Sequence, residues 1–269
     1  MTHYLKPVLF VFSLLCLMPA RAELILSSAP RDTKEKEEAI YKPLTDFLTK
    51  AVGQQVTFRH GDNFLVYQSE MRKGTYDIVF DGPHFVGWRM AKLGHVPLVK
   101  FPGKLAFVLA VNKGQGKIET LKDMGGRTVC AFPPPNLATL TVLDEFDNPA
   151  RQPMLLESSS FPETYKKMVA GKCLGAILQK KLFEELDKEK QAAKVLFASK
   201  PLPNQAFSAG PRVKPEVRTK IVDALLSAEG LAASEKMREV FKAPKFEAAS
   251  VEEYQGLGRL LRNEWGFEQ

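Results

Sequence analysis

The chain alternates short apolar runs of strand length with segments whose apolar residues recur at helical spacing, and this βαβα rhythm constrains the fold most. Such a pattern buries its faces best as an α/β fold with a largely parallel sheet. Leu24-Ile25-Leu26 reads as the first strand. Asp32 or Thr33 can cap the helix that follows, where Ile40, Leu44, Phe47, Leu48 and Val52 make one buried stripe. Pro43 is expected to kink that helix. Strands follow over 55–59, 76–80 and 96–101, with helices over 64–72 and from about His84. The run 105–111 reads as a crossing into a second lobe, with strands over 128–132, 154–156 and 174–178. Helices are expected there over 136–146, 163–170 and 182–193. Residues 195–198 and the proline-rich 200–204 lead back. The remainder reads as helical: one helix begins at Pro215 and closes at Gly230, and two more cover 234–241 and 251–265. The expected organisation is lobe 1 from 23–108 and 205–269, and lobe 2 from 109–204. Two segments joining two lobes imply a hinge and an interlobe cleft.

Ahead of this pattern stand Lys6, an apolar run over 8–18, Pro19 and then Ala20-Arg21-Ala22. A positive start, a short apolar stretch and a small-x-small site describe a secretory signal peptide cut after Ala22. A membrane anchor is the competing reading, but the run is shorter than the ~20 residues of a spanning helix. Leu15 before Cys16 argues against a lipoprotein signal. The expected location is therefore outside the cytoplasm. Loss of Lys6 and Arg21 takes two charges from the formal +7, leaving a modest positive balance. No basic stripe interleaved with aromatics occurs, so a nucleic-acid partner is not expected. In an oxidising compartment Cys130 and Cys173 can either pair or stay as buried thiols.

Four stretches resemble the phosphate, phosphite and phosphonate substrate-binding proteins of ABC transporters. Tyr41-Lys42-Pro43-Leu44-Thr45-Asp46-Phe47-Leu48 resembles that family's Y-x-P-L-x-x-x-L helix. Gly74-Thr75-Tyr76-Asp77-Ile78-Val79-Phe80-Asp81-Gly82-Pro83 resembles its G-x-x-D-I-x-x-x-G-P segment. Leu121-Lys122-Asp123-Met124-Gly125-Gly126-Arg127-Thr128-Val129 resembles its entry to the second lobe, and Pro201-Leu202-Pro203-Asn204 its return crossing. The resemblance implies a type II periplasmic binding-protein fold, capture of a small molecule and delivery to a membrane permease. It also implies an oxyanion held at the first helix of the second lobe by a Ser-Thr-Ser-Gly-like cluster. This chain departs from that cluster with Phe132-Pro133-Pro134-Pro135-Asn136-Leu137-Ala138-Thr139, where three prolines remove three N–H donors. Phe161 stands where the family has a His, and Cys173 or Leu174 where it has an Asp.

Ligands on α/β sheets bind beyond the carboxyl ends of strands. Those ends supply the candidate ligand-binding residues Arg31, Asp81, His84, Phe85, Asn136, Thr139, Ser159, Ser160 and Phe161, with Phe132 nearby. This wall is aromatic and poor in donors, and it suits a small organic solute with few polar handles. The handle is either a cation over an aromatic face or a carboxylate at Arg31 or His84. Several of these residues have plain structural alternatives: Asp81 as a helix cap, the serines as a capping box, the phenylalanines as core.

His60, His84 and His95 lack metal-ligand spacing, and no nucleophile elbow, P-loop or dinucleotide fingerprint occurs. No metal, cofactor or catalysis is expected, and the chain is expected to be a monomer. A sensor subunit for a membrane signalling protein needs the same hinge and cleft and stands as the alternative to transport; a secreted enzyme or accessory factor stands behind both.

Overall fold

A computed structural model describes residues 23–114 and 117–267. The signal-peptide reading of residues 1–22 lies outside the described residues. In chain order the elements are β1 (Leu24–Ser28), α1 (Lys34–Val52), β2 (Val56–Phe58), α2 (Phe64–Arg72), β3 (Ile78–Asp81), α3 (Pro83–Leu93) and β4 (Val96–Lys100). Then come β5 (Lys104–Leu105), β6 (Phe107–Asn112), β7 (Thr128–Ala131), α4 (Leu137–Leu143), β8 (Met154–Glu157), α5 (Phe161–Val169), β9 (Gly175–Gln179) and α6 (Lys180–Asp187). The chain closes with β10 (Ala193–Ala198), β11 (Leu202–Pro203), β12 (Ala206–Ala209), α7 (Pro215–Leu226), α8 (Ala228–Ala233), α9 (Glu235–Phe241), β13 (Glu247–Ala248) and α10 (Val251–Tyr254). A 3-10 segment, Leu257–Leu261, follows α10.

Two sheets organise these elements. The first runs β13-β4-β12-β3-β1-β2 and the second β10-β6-β9-β7-β8. A small ribbon of β5 and β11 lies between them in sequence, pairing Leu105 with Leu202 and Lys104 with Pro203. Both sheets are mixed. The βαβ units give parallel pairs, β1 with β2 and β3, and β7 with β8 and β9. The strands adjoining the crossings pair antiparallel: β12 with β3 and β4, and β6 with β9 and β10. The expectation of largely parallel sheets therefore holds only inside the βαβ units. A strand that arrives from the other sheet has no crossover helix to force it parallel.

Several boundaries differ from the sequence reading. α1 runs unbroken through Pro43. The helix expected over 182–193 ends at Asp187, because Asp187 Oδ1 accepts a bond from the Ala192 N–H at 2.8 Å and the chain turns into β10. α7 ends at Leu226, and Ser227 caps a separate α8 that contains Gly230. The helix expected over 251–265 is one turn of α-helix followed by the 3-10 segment, with Gly256 at φ 76° between them.

Three larger apolar cores, with a small cluster of Val86, Ala206 and Tyr254 beside them, hold the layers. One fills the first sheet's face against α1 and α7, around Leu26, Leu44, Phe80 and Phe207. A second lies around Cys130, Met168 and Leu178; there Cys130 and Cys173 form a disulfide, with Cα atoms 5.8 Å apart. The third joins α2 and α3 on the first sheet to α4 and β6 on the second, and includes Leu260, Leu261 and Phe267. The C-terminal segment thus touches both lobes. Its approach to α3 is close: a Cβ on Gly87 would lie 2.6 Å from the Tyr254 carbonyl oxygen and 2.7 Å from the Gly258 nitrogen. On the other side Arg262 Nη1 and Arg259 Nη1 reach Asp144 at 2.9 and 3.3 Å, so this segment does not belong to lobe 1 alone.

Candidate functional site

A cleft of about 400 Å³ opens between the two sheets. The loop after β1 contributes Ala29 and Arg31, the start of α3 contributes Gly82, His84 and Phe85, and the loop into α4 contributes Pro135 and Asn136. Phe161 begins α5, Gln179 ends β9, and Asn204-Gln205 lies on the return crossing. Leu105, Phe107 and Phe241 complete an apolar wall.

α3 is capped by Gly82 in extended conformation and opens on Pro83, a residue whose fixed φ suits a first turn. That start places His84 at the cleft, where it is buried. Its Nε2 lies 3.0 Å from the Pro135 carbonyl oxygen of the other lobe. A carbonyl only accepts, so Nε2 carries the proton and Nδ1 is left as an acceptor. Nδ1 is buried without a partner among the described residues. Burial, opposed by the Pro135 bond and Asp81, pushes the imidazole down to about 4, so it is neutral at neutral pH. Phe85 stacks beside it, with ring centroids 4.2 Å apart.

Arg31 is exposed at the cleft edge, its guanidinium 5.1 Å from the centroid of the Phe241 ring. Among the described residues no carboxylate pairs with it. Its own backbone N–H is anchored by Glu37 at 2.8 Å, and Glu37 is bridged to His60 Nδ1 at 2.7 Å. Asn136 caps α4 by accepting from the Ala138 N–H at 3.0 Å, which leaves its amide donors for the cleft. Phe161 packs edge-on against Phe132 at 5.0 Å.

Of the residues expected from sequence, Arg31, His84, Phe85, Asn136 and Phe161 line this cleft together. Four others do not. Asp81 is fully buried and spends both oxygens inward, on Tyr67 Oη at 2.6 Å and Arg89 Nε at 2.9 Å. Thr139 is buried and donates to the Phe132 carbonyl at 2.6 Å. Ser159 donates its backbone N–H and its hydroxyl to Glu163 Oε2 at 2.8 and 2.7 Å, and Ser160 caps α5 by accepting from the Glu163 N–H at 3.2 Å. These bonds satisfy the free donors of a helix start, so the serines close the helix instead of facing the cleft. The carboxamides Gln179, Asn204 and Gln205 were not foreseen. Gln179 could have been found from the strand-end rule, and Asn204-Gln205 from its place on the crossing. Among the described residues no group of three or more His, Cys, Asp or Glu side chains could hold a metal ion.

Comparison with known proteins agrees with this architecture. Residues 26–254 match the family model for the periplasmic substrate-binding protein of phosphonate ABC transporters. No curated protein matches the sequence. Among solved structures, the chain is similar to PhnD1 of Prochlorococcus marinus in complex with methylphosphonate, at 13% identity and a TM-score of 0.62, covering 89% of this chain and 97% of that one. It is similar to XAC2383 of Xanthomonas citri bound to chloride, at 16% identity and a TM-score of 0.70, covering 89% and 97%. A binding component of a phosphonate ABC transporter from Pseudomonas aeruginosa matches at 15% identity and a TM-score of 0.60, covering 88% and 85%. At such identities the structures speak for the two-lobed fold, and the family match over most of the chain makes this a member of the phosphonate-binding family of ABC-transporter periplasmic substrate-binding proteins.

Proposed function

We propose that this substrate-binding protein takes up a small organic solute in the cleft between its lobes, closes over it and presents it to its permease as a monomer in the periplasm, after removal of residues 1–22. Arg31, His84, Phe85, Asn136 and Phe161 hold the solute, joined by Gln179 and Gln205. The observation that carries this reading is the convergence of both lobes on one cleft, with His84 of α3 reaching the Pro135 carbonyl across it at 3.0 Å. The two-stranded crossing of β5 and β11 supports rotation of the lobes about few residues. The lobes are divided at about 108 and 205, with the C-terminal segment shared between them. The role is binding for transport, as the matched family's is.

A thermal-shift screen of residues 23–269 against a mixed panel of solutes, with a Gln205→Trp variant beside the wild type, tests this. Gln205 lines the cleft and is only partly buried, so an indole there fills the site without opening the core. Ligand that binds only the folded state raises stability by ~2.7 kcal/mol at a hundredfold excess over Kd. A solute that stabilises the wild type and leaves Gln205→Trp unmoved supports cleft binding. Equal stabilisation of both places the site elsewhere.

A further inference from the structure

The cleft's chemistry narrows the solute further, granted the receptor reading above. Among its described lining residues Arg31 is the one charged side chain; no Asp, Glu or Lys joins it. The guanidinium rests on the Phe241 ring and has no carboxylate partner among the described residues. A ligand cation would meet a positive charge and no counterion. A doubly charged oxyanion would meet one cation, a neutral imidazole, neutral carboxamides, and a loop where Pro133, Pro134 and Pro135 offer no N–H, so one of its two charges would go uncompensated. A single carboxylate matches a single guanidinium, in charge and in the two parallel N–H bonds that a planar fork can make.

A second polar handle is set by His84. Its Nδ1 is a buried acceptor with no partner among the described residues. Beside it stands Gly82, another lining residue. A Cβ built on Gly82 would lie 3.1 Å from Nδ1 and 2.9 Å from Cε1, and outside the neighbouring chain no other residue comes within 4 Å of that point. Glycine thus keeps a side chain of its own from covering Nδ1, which is buried in this conformation and is met by a donor that enters before the cleft closes. An acceptor left unpaired in a buried site is costly, so a ligand N–H or O–H placed there gains what the protein alone forgoes. Phe85, Leu105, Phe107 and Phe161 make an apolar wall beside the neutral carboxamides Asn136, Gln179, Asn204 and Gln205, and about 400 Å³ exceeds what a bare oxyanion fills.

We propose that the solute is a monocarboxylate with an apolar body and one hydroxyl or N–H donor: the carboxylate pairs with Arg31, the donor meets His84 Nδ1, and the body lies along the phenylalanine wall. Burial holds His84 neutral over the neutral pH range, which keeps Nδ1 an acceptor.

Calorimetric titration of residues 23–269 tests this with lactate, hydroxyisocaproate, mandelate and phenyllactate, with phenylpropionate lacking the hydroxyl, with phenyllactamide lacking the charge, and with methylphosphonate and inorganic phosphate. At least one of the larger hydroxy acids is expected to bind. Phenylpropionate, phenyllactamide and both phosphorus oxyanions should each be at least about tenfold weaker, a step of ~1.4 kcal/mol. Arg31→Gln should remove the preference for acid over amide, and Arg31→Lys should restore part of it. Arg31 is exposed, so both variants are expected to melt with the wild type. Equal affinity for acid and amide overturns the proposal, as does tighter binding of methylphosphonate or phosphate, or a panel with no carboxylate bound. Phosphonate binding that Gln205→Trp abolishes would leave the receptor reading standing while the carboxylate class falls. Binding of every solute alike to Gln205→Trp would take down both.

Discussion

Asp81 shows how one residue can be placed correctly along the chain and wrongly in space. It follows a strand and precedes Gly-Pro, a position from which ligand contacts often come. In the fold its carboxylate closes a ring of bonds with Tyr67 Oη and Arg89 Nε, and Arg89 Nη2 returns to Tyr67 Oη at 3.0 Å. Tyr67 comes from α2 and Arg89 from the far end of α3, so no local pattern announces the ring. Asp81→Ala leaves the fully buried Arg89 guanidinium unpaired, and breaking such a pair costs about 3–5 kcal/mol. Chemical denaturation of the variant should show that loss. A stability within ~1 kcal/mol of wild type would contradict the network.

His84 and His95 set the response to acid. Burial pushes His84 down to about 4 and His95 down to about 3, against 6.5 for the ordinary group. The unfolded chain therefore binds protons below pH 6.5 that the folded chain refuses. Stability is fully present above 6.5 and is lost as pH falls, by about 1.4 kcal/mol per pH unit for each histidine down to its folded value. Denaturation curves at pH 7, 6 and 5 should show this decline, and His95→Asn should flatten it. A stability independent of pH over that range would contradict the burial of both rings.

At the scale of elements, apolar periodicity made β1, α1, α2, β3, β7 and α5 legible, since each buries one face against a neighbour in its own βαβ unit. It failed where termination depends on a distant partner. α6 stops at Asp187 because that side chain binds Tyr165 Oη and the Ala192 N–H, freeing the chain to pair as β10 with β6. The C-terminal elements were read as long helices because the sequence does not reveal that Gly87 and Gly258 must let two backbones meet. Gly258→Ala would put a Cβ 2.8 Å from Trp88 N and Cα and should cost about 1–3 kcal/mol, seen as a lowered Tm; an unchanged Tm would contradict the close approach. The sequence left the state of the two cysteines open, and the fold decides it: with β7 beside β9 and the Leu174 N–H on the Thr128 carbonyl at 2.9 Å, Cys173 just ahead of β9 lies 5.8 Å Cα–Cα from Cys130. The bridge joins residues 43 apart, and a loop of that size contributes ~4 kcal/mol through the unfolded chain. Cys130→Ser with Cys173→Ser should lower denaturation free energy by up to that amount, and no loss would argue that the bridge is not formed.

For the whole molecule, two lobes and two crossings were readable from the order of strands and helices. Of the cleft, five of the nine foreseen residues line it: Arg31, His84, Phe85, Asn136 and Phe161. The serines and Thr139 were misplaced because a hydroxyl at a helix start serves capping and binding equally well in sequence. The carboxamides of the crossing were missed because only folding brings Gln205 to the same cleft as Asn136 and Gln179. The C-terminal segment ties the lobes on the side of α4 where Arg259 and Arg262 meet Asp144. Closure over solute is the central claim, and small-angle scattering of residues 23–269 tests it most directly, with and without a saturating solute identified by the thermal-shift screen. A radius of gyration that falls on addition, to the value calculated from this structure with His84 against Pro135, is the predicted result. A radius unchanged by a solute that demonstrably binds would contradict capture by closure of the lobes.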